Sequence, residues 1–133
     1  MGQPAAKQGD KVTANDIHIV MVPAPPGPPV PTPAPHPFVG TINGKLSRNV
    51  NIMGKPAATA GSIAKNSPAH IPAPPGNAFQ KPPSNQAQIQ IGSATVNING
   101  KQVARNGDIA LTCNDPTDQP VGQVVAAGTV LIG

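Results

Sequence analysis

A segment of this chain occurs twice, and that repeat constrains the fold more than any other feature. Residues 50–64 match residues 96–110 at a constant offset of 46, with identical amino acids at 9 of 15 positions. Each copy has two short apolar runs joined by a turn, which in the later copy is Asn99-Gly100. Asn-Gly between alternating apolar residues predicts a β-hairpin, because both turn residues must adopt positive φ. The chain is therefore predicted to consist of copies of a small β-unit.

The N-terminal residues hold a third copy of this unit, shortened at its start. Residues 4–10 align with the repeat on its glycine and share the Pro-Ala-Ala sequence found at 56–58. The strand that precedes this sequence in the other copies has no counterpart before residue 4, so the first unit is expected to lack one strand. Three copies predict a fold with pseudo-threefold symmetry.

The other apolar segments are also typical of short strands. They are residues 17–22, residues 89–91 and residues 121–133, the last broken in two at Gly128. A further hairpin is predicted at Asn43-Gly44. Apolar residues nowhere keep the spacing of a helix over three turns, so we predict an all-β chain. Its length predicts one domain over residues 1–133.

Two proline-rich segments interrupt the strands. Residues 23–37 have proline at almost every second position, and residues 72–76 repeat the Pro-Ala-Pro-Pro-Gly of residues 23–27. Proline fixes φ and lacks an N–H, so we predict long extended loops of polyproline II type there, with neither a helix nor a central strand. The alternative is a proline-rich adaptor without metal that binds SH3- or WW-type domains.

Composition limits how such a fold can be stabilised. The chain has two Phe and no Trp or Tyr, so small aliphatic side chains must form its core. A thin core benefits from a metal, disulfides or a partner surface, and with Cys113 as the single cysteine an internal disulfide is excluded. The net charge of +4 comes from scattered lysines. Without aromatic platforms for bases, no nucleic acid partner is expected.

Potential metal ligands occupy related positions in the repeat. His18 lies nine residues after Gly9, and His70 lies nine residues after Gly61. Cys113 follows the glycine of the third copy by six residues. Equivalent positions of a pseudo-threefold fold converge on its axis, so these three side chains are expected to meet there.

His36 lies outside the repeat, and a folded-over loop can bring it to the same point as a fourth ligand. Three nitrogens and one sulfur suit tetrahedral zinc. Four protein ligands leave no open coordination position, so such a site is structural rather than catalytic. The alternative is hydrogen-bonded core histidines or surface histidines, together with an inert buried cysteine. An enzyme is not expected, since the chain has no glutamate.

Variants of a Pro-Ala-Ala-Arg motif occur at Pro4-Ala5-Ala6-Lys7, Pro56-Ala57-Ala58-Thr59 and Gln102-Val103-Ala104-Arg105. With these motifs and the Gly-Asp that follows the first and third, the chain resembles the PAAR-repeat proteins. That family forms the spike tip of type VI secretion systems and related contractile injection machines. The resemblance implies a small cone of short β-strands with zinc near its apex. Carried over by position, the ligands are His18, His36, His70 and Cys113. Only Arg105 keeps the arginine of the motif, and the proline loops are longer than in a minimal member.

The resemblance further implies a structural tip, not an enzyme, with one copy capping a trimeric valine-glycine-repeat (VgrG-type) spike protein. Such a tip aids membrane puncture, touches the target membrane transiently and can travel with separate effector proteins. Asn43-Gly44, Asn99-Gly100 or the strands after Val121 are expected to line its base through backbone and small apolar contacts. Residues 1–15 lack the apolar segment of a secretory signal, so synthesis in the cytoplasm and delivery on the spike are expected.

Overall fold

The computed structural model describes residues 2–133, which form an all-β structure as predicted. Met1, the first residue of the predicted domain, lies outside the described residues. The strands are β1 (Gln3–Pro4), β2 (Lys11–Val22), β3 (Val30–Gly44), β4 (Asn51–Ile52), β5 (Lys55–Pro56), β6 (Ile63–Asn66), β7 (Ala78–Phe79), β8 (Gln86–Ile89), β9 (Asn97–Ile98), β10 (Lys101–Gln102), β11 (Ile109–Thr112), β12 (Gln119–Val125) and β13 (Leu131–Ile132). Residues 2–133 contain no helix that is long and apolar enough to cross a membrane.

Six strands close into a small barrel. Strands β2, β3, β6, β8, β11 and β12 pair in that order, antiparallel throughout, and β12 pairs back onto β2. A barrel of about eight strands is just wide enough to be filled by side chains, so six strands leave room mainly for small ones. Its buried interior includes Val12, Phe38, Ile42, Ala64, Ala87, Ile89, Ala110 and Val124. The scarcity of aromatic residues therefore matches the narrow barrel.

Three two-stranded units stand at one end of the barrel. Strand β4 pairs with β5, β9 pairs with β10, and β1 pairs with β13. In the first two units the turns have positive φ at both central residues, with 51° at Met53, 80° at Gly54, 55° at Asn99 and 77° at Gly100. This confirms the predicted Asn-Gly hairpin.

The third unit corrects the expectation that the first repeat lacks a strand. Residues 131–132 pair with residues 3–4, in the same register as the strands of the two hairpins. Val130-Leu131-Ile132 thereby takes the place of Val50-Asn51-Ile52 and Val96-Asn97-Ile98. Residues 131–132 therefore supply the strand that has no counterpart directly before β1.

A ring of three backbone hydrogen bonds marks the pseudo-threefold axis. Each bond joins the alanine at the third position of one motif to that of another: Ala6 N–H donates to Ala104 O (2.9 Å), Ala104 N–H to Ala58 O (3.0 Å) and Ala58 N–H to Ala6 O (3.0 Å). All three alanines are fully buried. A larger side chain there would push the three chain segments apart, which explains why the motif requires a small residue at this position.

The motif turns repeat a second contact around the axis. Their glycines have φ of 92° (Gly9), 97° (Gly61) and 89° (Gly107). In each turn the side chain after glycine accepts a backbone N–H: Asp10 from Lys7 (3.0 Å), Ser62 from Thr59 (3.0 Å) and Asp108 from Arg105 (2.7 Å). The first and third turns add an ion pair between those two side chains, whereas the second turn is neutral in both positions. In the second turn Thr59 and Ser62 thus stand in place of the two charged residues, and the hydrogen bond that closes the turn is kept.

The prediction that the first proline-rich segment is an extended loop is wrong for residues 30–37, which form a strand. This part of β3 pairs along one edge only, so the prediction that it is not a central strand is not contradicted. Residues 30–38 belong to β3 and pair with β2 residue by residue. Prolines 31, 33, 35 and 37 face odd-numbered residues of β2, whose backbone groups bond elsewhere: Ile17 N–H goes to Asn114 and its carbonyl accepts from Asp115 N–H. Every proline nitrogen therefore points away from β2, and the missing N–H groups fall on the unpaired edge, where proline is tolerated.

Two local predictions also need correction. Asn43-Gly44 is not a hairpin turn, because Gly44 ends β3 and pairs with Ile63 across a register shift. The predicted strand at 17–22 begins earlier, at Lys11, and that at 89–91 lies earlier as β8. The break at Gly128 between β12 and β13 is confirmed.

Candidate metal centre

The side chains singled out as metal ligands gather at the barrel end opposite the motif turns. Strands β2, β6 and β11 each leave a motif turn and run toward this end, where His18 lies on β2, and His70 and Cys113 follow β6 and β11. We call this region, with loops 67–85 and 113–118, the metal end. The opposite region (residues 2–10, 45–62, 92–108 and 126–133) is the hairpin end.

The three histidines of the chain form a nearly equilateral triangle. The ring centroids of His18 and His70 are 5.0 Å apart, and His36 is 5.5 Å from each of them. Phe79 covers two of the rings at 5.8 and 5.4 Å, so little water reaches them. The structure thus brings together imidazoles that are up to 52 residues apart in sequence.

Cys113, His18, His70 and Asp16 present ligand atoms that all lie within 4.8 Å of one another. Asp16 was not among the predicted residues. Its position two residues before His18 on one strand places both side chains on the same face, because side chains alternate along a strand. A carboxylate directly before the predicted strand at 17–22, two residues from His18, was the signal that could have found it.

Asp16 is fully buried and is the hub of the local hydrogen bonds. Its Oδ1 accepts from Thr112 Oγ1 at 2.6 Å and from Asn114 Nδ2 at 3.4 Å. Its Oδ2 lies 3.0 Å from His70 Nε2 and accepts from Cys113 Sγ at 3.4 Å. No Lys or Arg in residues 2–133 pairs with this carboxylate. A buried anion of this kind favours a cation beside it.

His18 is the clearest sign that the cluster suits a metal. Its side chain is 1 % exposed, and neither ring nitrogen has a hydrogen-bond partner among the described residues. Asp115 Oδ2 approaches Nδ1 only to 3.5 Å and accepts instead from Ile19 N–H at 2.8 Å. Buried polar atoms are nearly always paired, so an orphaned imidazole in a histidine–cysteine cluster fits a metal ligand.

His36 has a different environment. Its Nδ1 lies 2.9 Å from Ala34 O, and its Nε2 accepts Ala73 N–H at 3.1 Å. Both ring nitrogens of His36 therefore have backbone hydrogen-bond partners, although the ring is one corner of the histidine triangle. The predicted role of His36 as a ligand remains a prediction.

Burial shifts the pKa of two side chains in the cluster, His18 and Cys113. It lowers the pKa of His18 below its usual 6.5, and the neighbouring histidines add to the effect while Asp115 and Asp16 oppose it. A neutral imidazole is the form that binds metal. Burial raises the pKa of Cys113 to about 11, and Asp16 contributes in the same direction. A thiolate at this position therefore requires compensating positive charge from a cation.

The fold and the cluster together define a class: a small all-β protein with pseudo-threefold symmetry at one end and a buried histidine–cysteine cluster at the other. The PAAR motif family model matches residues 34–116, which is more than half of the chain. The protein belongs to the PAAR motif family. No curated protein matches the sequence significantly. Membership of this structural family supports a spike-tip role in a contractile injection machine, in general association with a spike protein.

Proposed function

We propose that this protein caps the trimeric valine-glycine-repeat (VgrG-type) spike of a contractile injection machine as a single copy, and that it stiffens and sharpens the spike tip. In this role it aids membrane puncture and delivery of separate effector proteins, and it acts as a structural protein rather than an enzyme. It is made in the cytoplasm and leaves the cell on the spike. The observation that carries the proposal is the threefold arrangement of the hairpin end.

The hairpin end suits a trimeric partner. Three two-stranded units with the same register surround the alanine ring, so similar backbone is presented three times. A trimer repeats its own surface three times about one axis. One chain with internal pseudo-symmetry can therefore match all three subunits. The metal end has no such repetition, because the long β2–β3 pair and loop 67–85 occur once each.

The metal end is the free apex in this proposal, with a structural zinc ion held by His18, His36, His70 and Cys113. The bound ion links segments between residues 18 and 113 at a point where the narrow barrel offers little core. The four side chains fill all positions of a tetrahedral ion, which suits a structural rather than a catalytic site. Three clustered imidazoles and a buried thiol support this ligand set.

Asp16 is proposed to orient the ligands rather than to bind the ion. Its two oxygens already receive hydrogen bonds or contacts from four side chains, including His70 at 3.0 Å. Carboxylates paired with metal-binding histidines are common and fix the orientation of the ring. His36 in turn must release only the Ala73 N–H to free its Nε2.

Native mass spectrometry of the protein mixed with the trimeric spike protein of the same source tests the docking proposal. We expect one chain per spike trimer. Three chains per trimer, or no complex at micromolar concentration, would refute it. A charged replacement of Ile98, which is partly buried in the hairpin-end core, should abolish the complex and leave zinc content unchanged.

Metal analysis of Asp16→Asn and His36→Ala distinguishes the two candidates for the fourth ligand. We expect Asp16→Asn to lower zinc affinity by about 10–100-fold, as for residues that only orient a ligand, and His36→Ala to lower it by more than about 100-fold. Full zinc affinity in His36→Ala together with zinc loss in Asp16→Asn would assign the position to the carboxylate instead.

A further inference from the structure

The net charge of this protein is concentrated on the hairpin end. The two aspartates there are both paired with a cation, Asp10 with Lys7 at 3.2 Å and Asp108 with Arg105 at 2.9 Å. Four exposed cations of this end have no carboxylate partner within residues 2–133: Lys45, Arg48, Lys55 and Lys101. The rest of the chain has three lysines and three aspartates, so its side-chain charges sum to zero. The whole surplus of +4 therefore lies on the end that carries the threefold hairpins.

Two of these cations occupy equivalent positions around the axis. Lys55 pairs with Ile52 in the second unit, and Lys101 pairs with Ile98 in the third. In the first unit the same register position, opposite Ile132, holds Gln3. All three side chains are exposed. The hairpin end thus carries a ring of two ammonium groups and one neutral amide at threefold-related points.

A small groove of about 60 Å³ adds a second cationic feature on the same end. Lys45 and Lys101 line it together with Thr59, which stands where the other motifs have a basic residue. In those motifs the basic side chain bonds the adjacent loop, with Lys7 Nζ at 2.8 Å from Ala127 O and Arg105 Nη1 at 3.1 Å from Gly133 O. The shorter Thr59 leaves this groove open between two lysines.

We propose that the hairpin end recognises an acidic threefold surface, namely the end of the spike trimer with one carboxylate per subunit facing Lys55, Lys101 and Gln3, and with a further carboxylate in the Lys45–Lys101 groove. This inference rests on the proposed function. A trimer presents each acidic side chain three times at one radius, so a single Asp or Glu per spike chain meets all three positions. The interface then uses charge complementarity, in addition to the backbone and apolar contacts expected from the sequence. Complementary charge chiefly raises the association rate and is screened by salt.

Binding kinetics with the purified spike trimer test this inference. The variant Lys55→Gln/Lys101→Gln should slow association about 10-fold at low salt and flatten its salt dependence, with little change in dissociation. Lys65→Gln/Lys81→Gln removes the same charge away from the hairpin end and is the matched control, expected to bind within about 2-fold of the parent. Gln3→Lys completes the ring and should speed association.

The outcomes separate the two proposals. If the parent docks at the same rate from about 50 to 500 mM NaCl, or if both double variants slow association equally, the acidic partner surface is rejected while the spike-tip function stands. Loss of duplex-DNA binding by Lys55→Gln/Lys101→Gln with unchanged spike docking would reassign the cations to nucleic acid. A parent that does not dock at any salt rejects the proposed function and with it this inference.

Discussion

The hairpin end and the metal end follow the threefold symmetry of the chain to different degrees. At the hairpin end the backbone repeats closely: alanine ring, glycine turns and strand register all recur in three copies. At the metal end the three strands that leave the motif turns end in different residues, with His18 on β2, His70 four residues beyond β6 and Cys113 directly after β11. Backbone contacts therefore carry the symmetry, and side-chain chemistry breaks it. The symmetric hairpin end suits docking on a symmetric partner, and the asymmetric metal end suits a single metal site.

The largest effect is expected at the metal end. Cys113→Ser should remove the one zinc ion per chain and lower the melting temperature by about 15 °C, because structural zinc contributes apparent binding free energies of about 10–16 kcal/mol in small domains and only part of this has to be lost. Elemental analysis and thermal unfolding measure both. A variant that melts like the parent, or a parent without zinc, would contradict the metal proposal.

The alanine ring should respond equally at its three positions. Ala6→Val, Ala58→Val and Ala104→Val each add two carbons to a fully buried axis and should each lower the free energy of unfolding by about 1–3 kcal/mol. Urea unfolding measures these values, with the exposed Ala94→Val as control. Values that differ by more than about 2 kcal/mol would show that the ring is not symmetric in energy.

Alkaline pH should destabilise the chelator-treated protein through Cys113. Its pKa rises from 9.0 to about 11 on folding, so the folded chain holds the proton more tightly than the unfolded chain. This stabilisation of the folded chain is fully present below about pH 9 and is lost as pH rises through about 11, with a maximum of about 3 kcal/mol. Urea unfolding at pH 8 and pH 10.5 should show the loss in the parent and not in Cys113→Ser. Parallel losses in the two proteins would refute it.

The smallest effect is expected when one motif turn is converted into another. Lys7→Thr/Asp10→Ser gives the first turn the neutral pair of the second, and it should cost less than about 1 kcal/mol because the replaced ion pair is partly exposed. The single variant Asp10→Ala also removes the acceptor of Lys7 N–H and should cost more. Equal costs would mean that the ion pair, not the backbone acceptor, stabilises the turn.

Much of the hairpin end could be predicted from sequence, because it depends on local rules. Positive φ at Asn99 and Gly100 follows from turn chemistry, and the offset of 46 relates the second and third units directly. The role of residues 131–132 could not be predicted in the same way. Strand pairing between the two ends of the chain has no local signal, and Val130-Leu131-Ile132 resembles its counterparts only in spacing.

The metal end depended more on contacts between distant residues. Repeat positions indicated that His18 and His70 would meet, and in the structure their ring centroids are 5.0 Å apart. Asp16 was not predicted, because the predicted site consisted of soft and borderline ligands and a carboxylate oxygen is a hard one. The strand at residues 30–38 was not predicted, because the high number of prolines favoured a loop. The alternate spacing of these prolines, however, places every missing N–H on one edge of the strand.

The pairing of β1 with β13 makes the chain a ring in space. Both ends of the polypeptide lie side by side in one two-stranded unit, equivalent to the hairpins closed by Gly54 and Gly100. Circular permutation is therefore compatible with the fold. A short linker would join residues 2 and 133, and the new ends would lie at the turn between Met53 and Gly54. The permuted chain would have a closed loop in the β1–β13 unit and a chain break in the β4–β5 unit. Removal of residues 131–132 would leave β1 unpaired and the threefold set of two-stranded units incomplete.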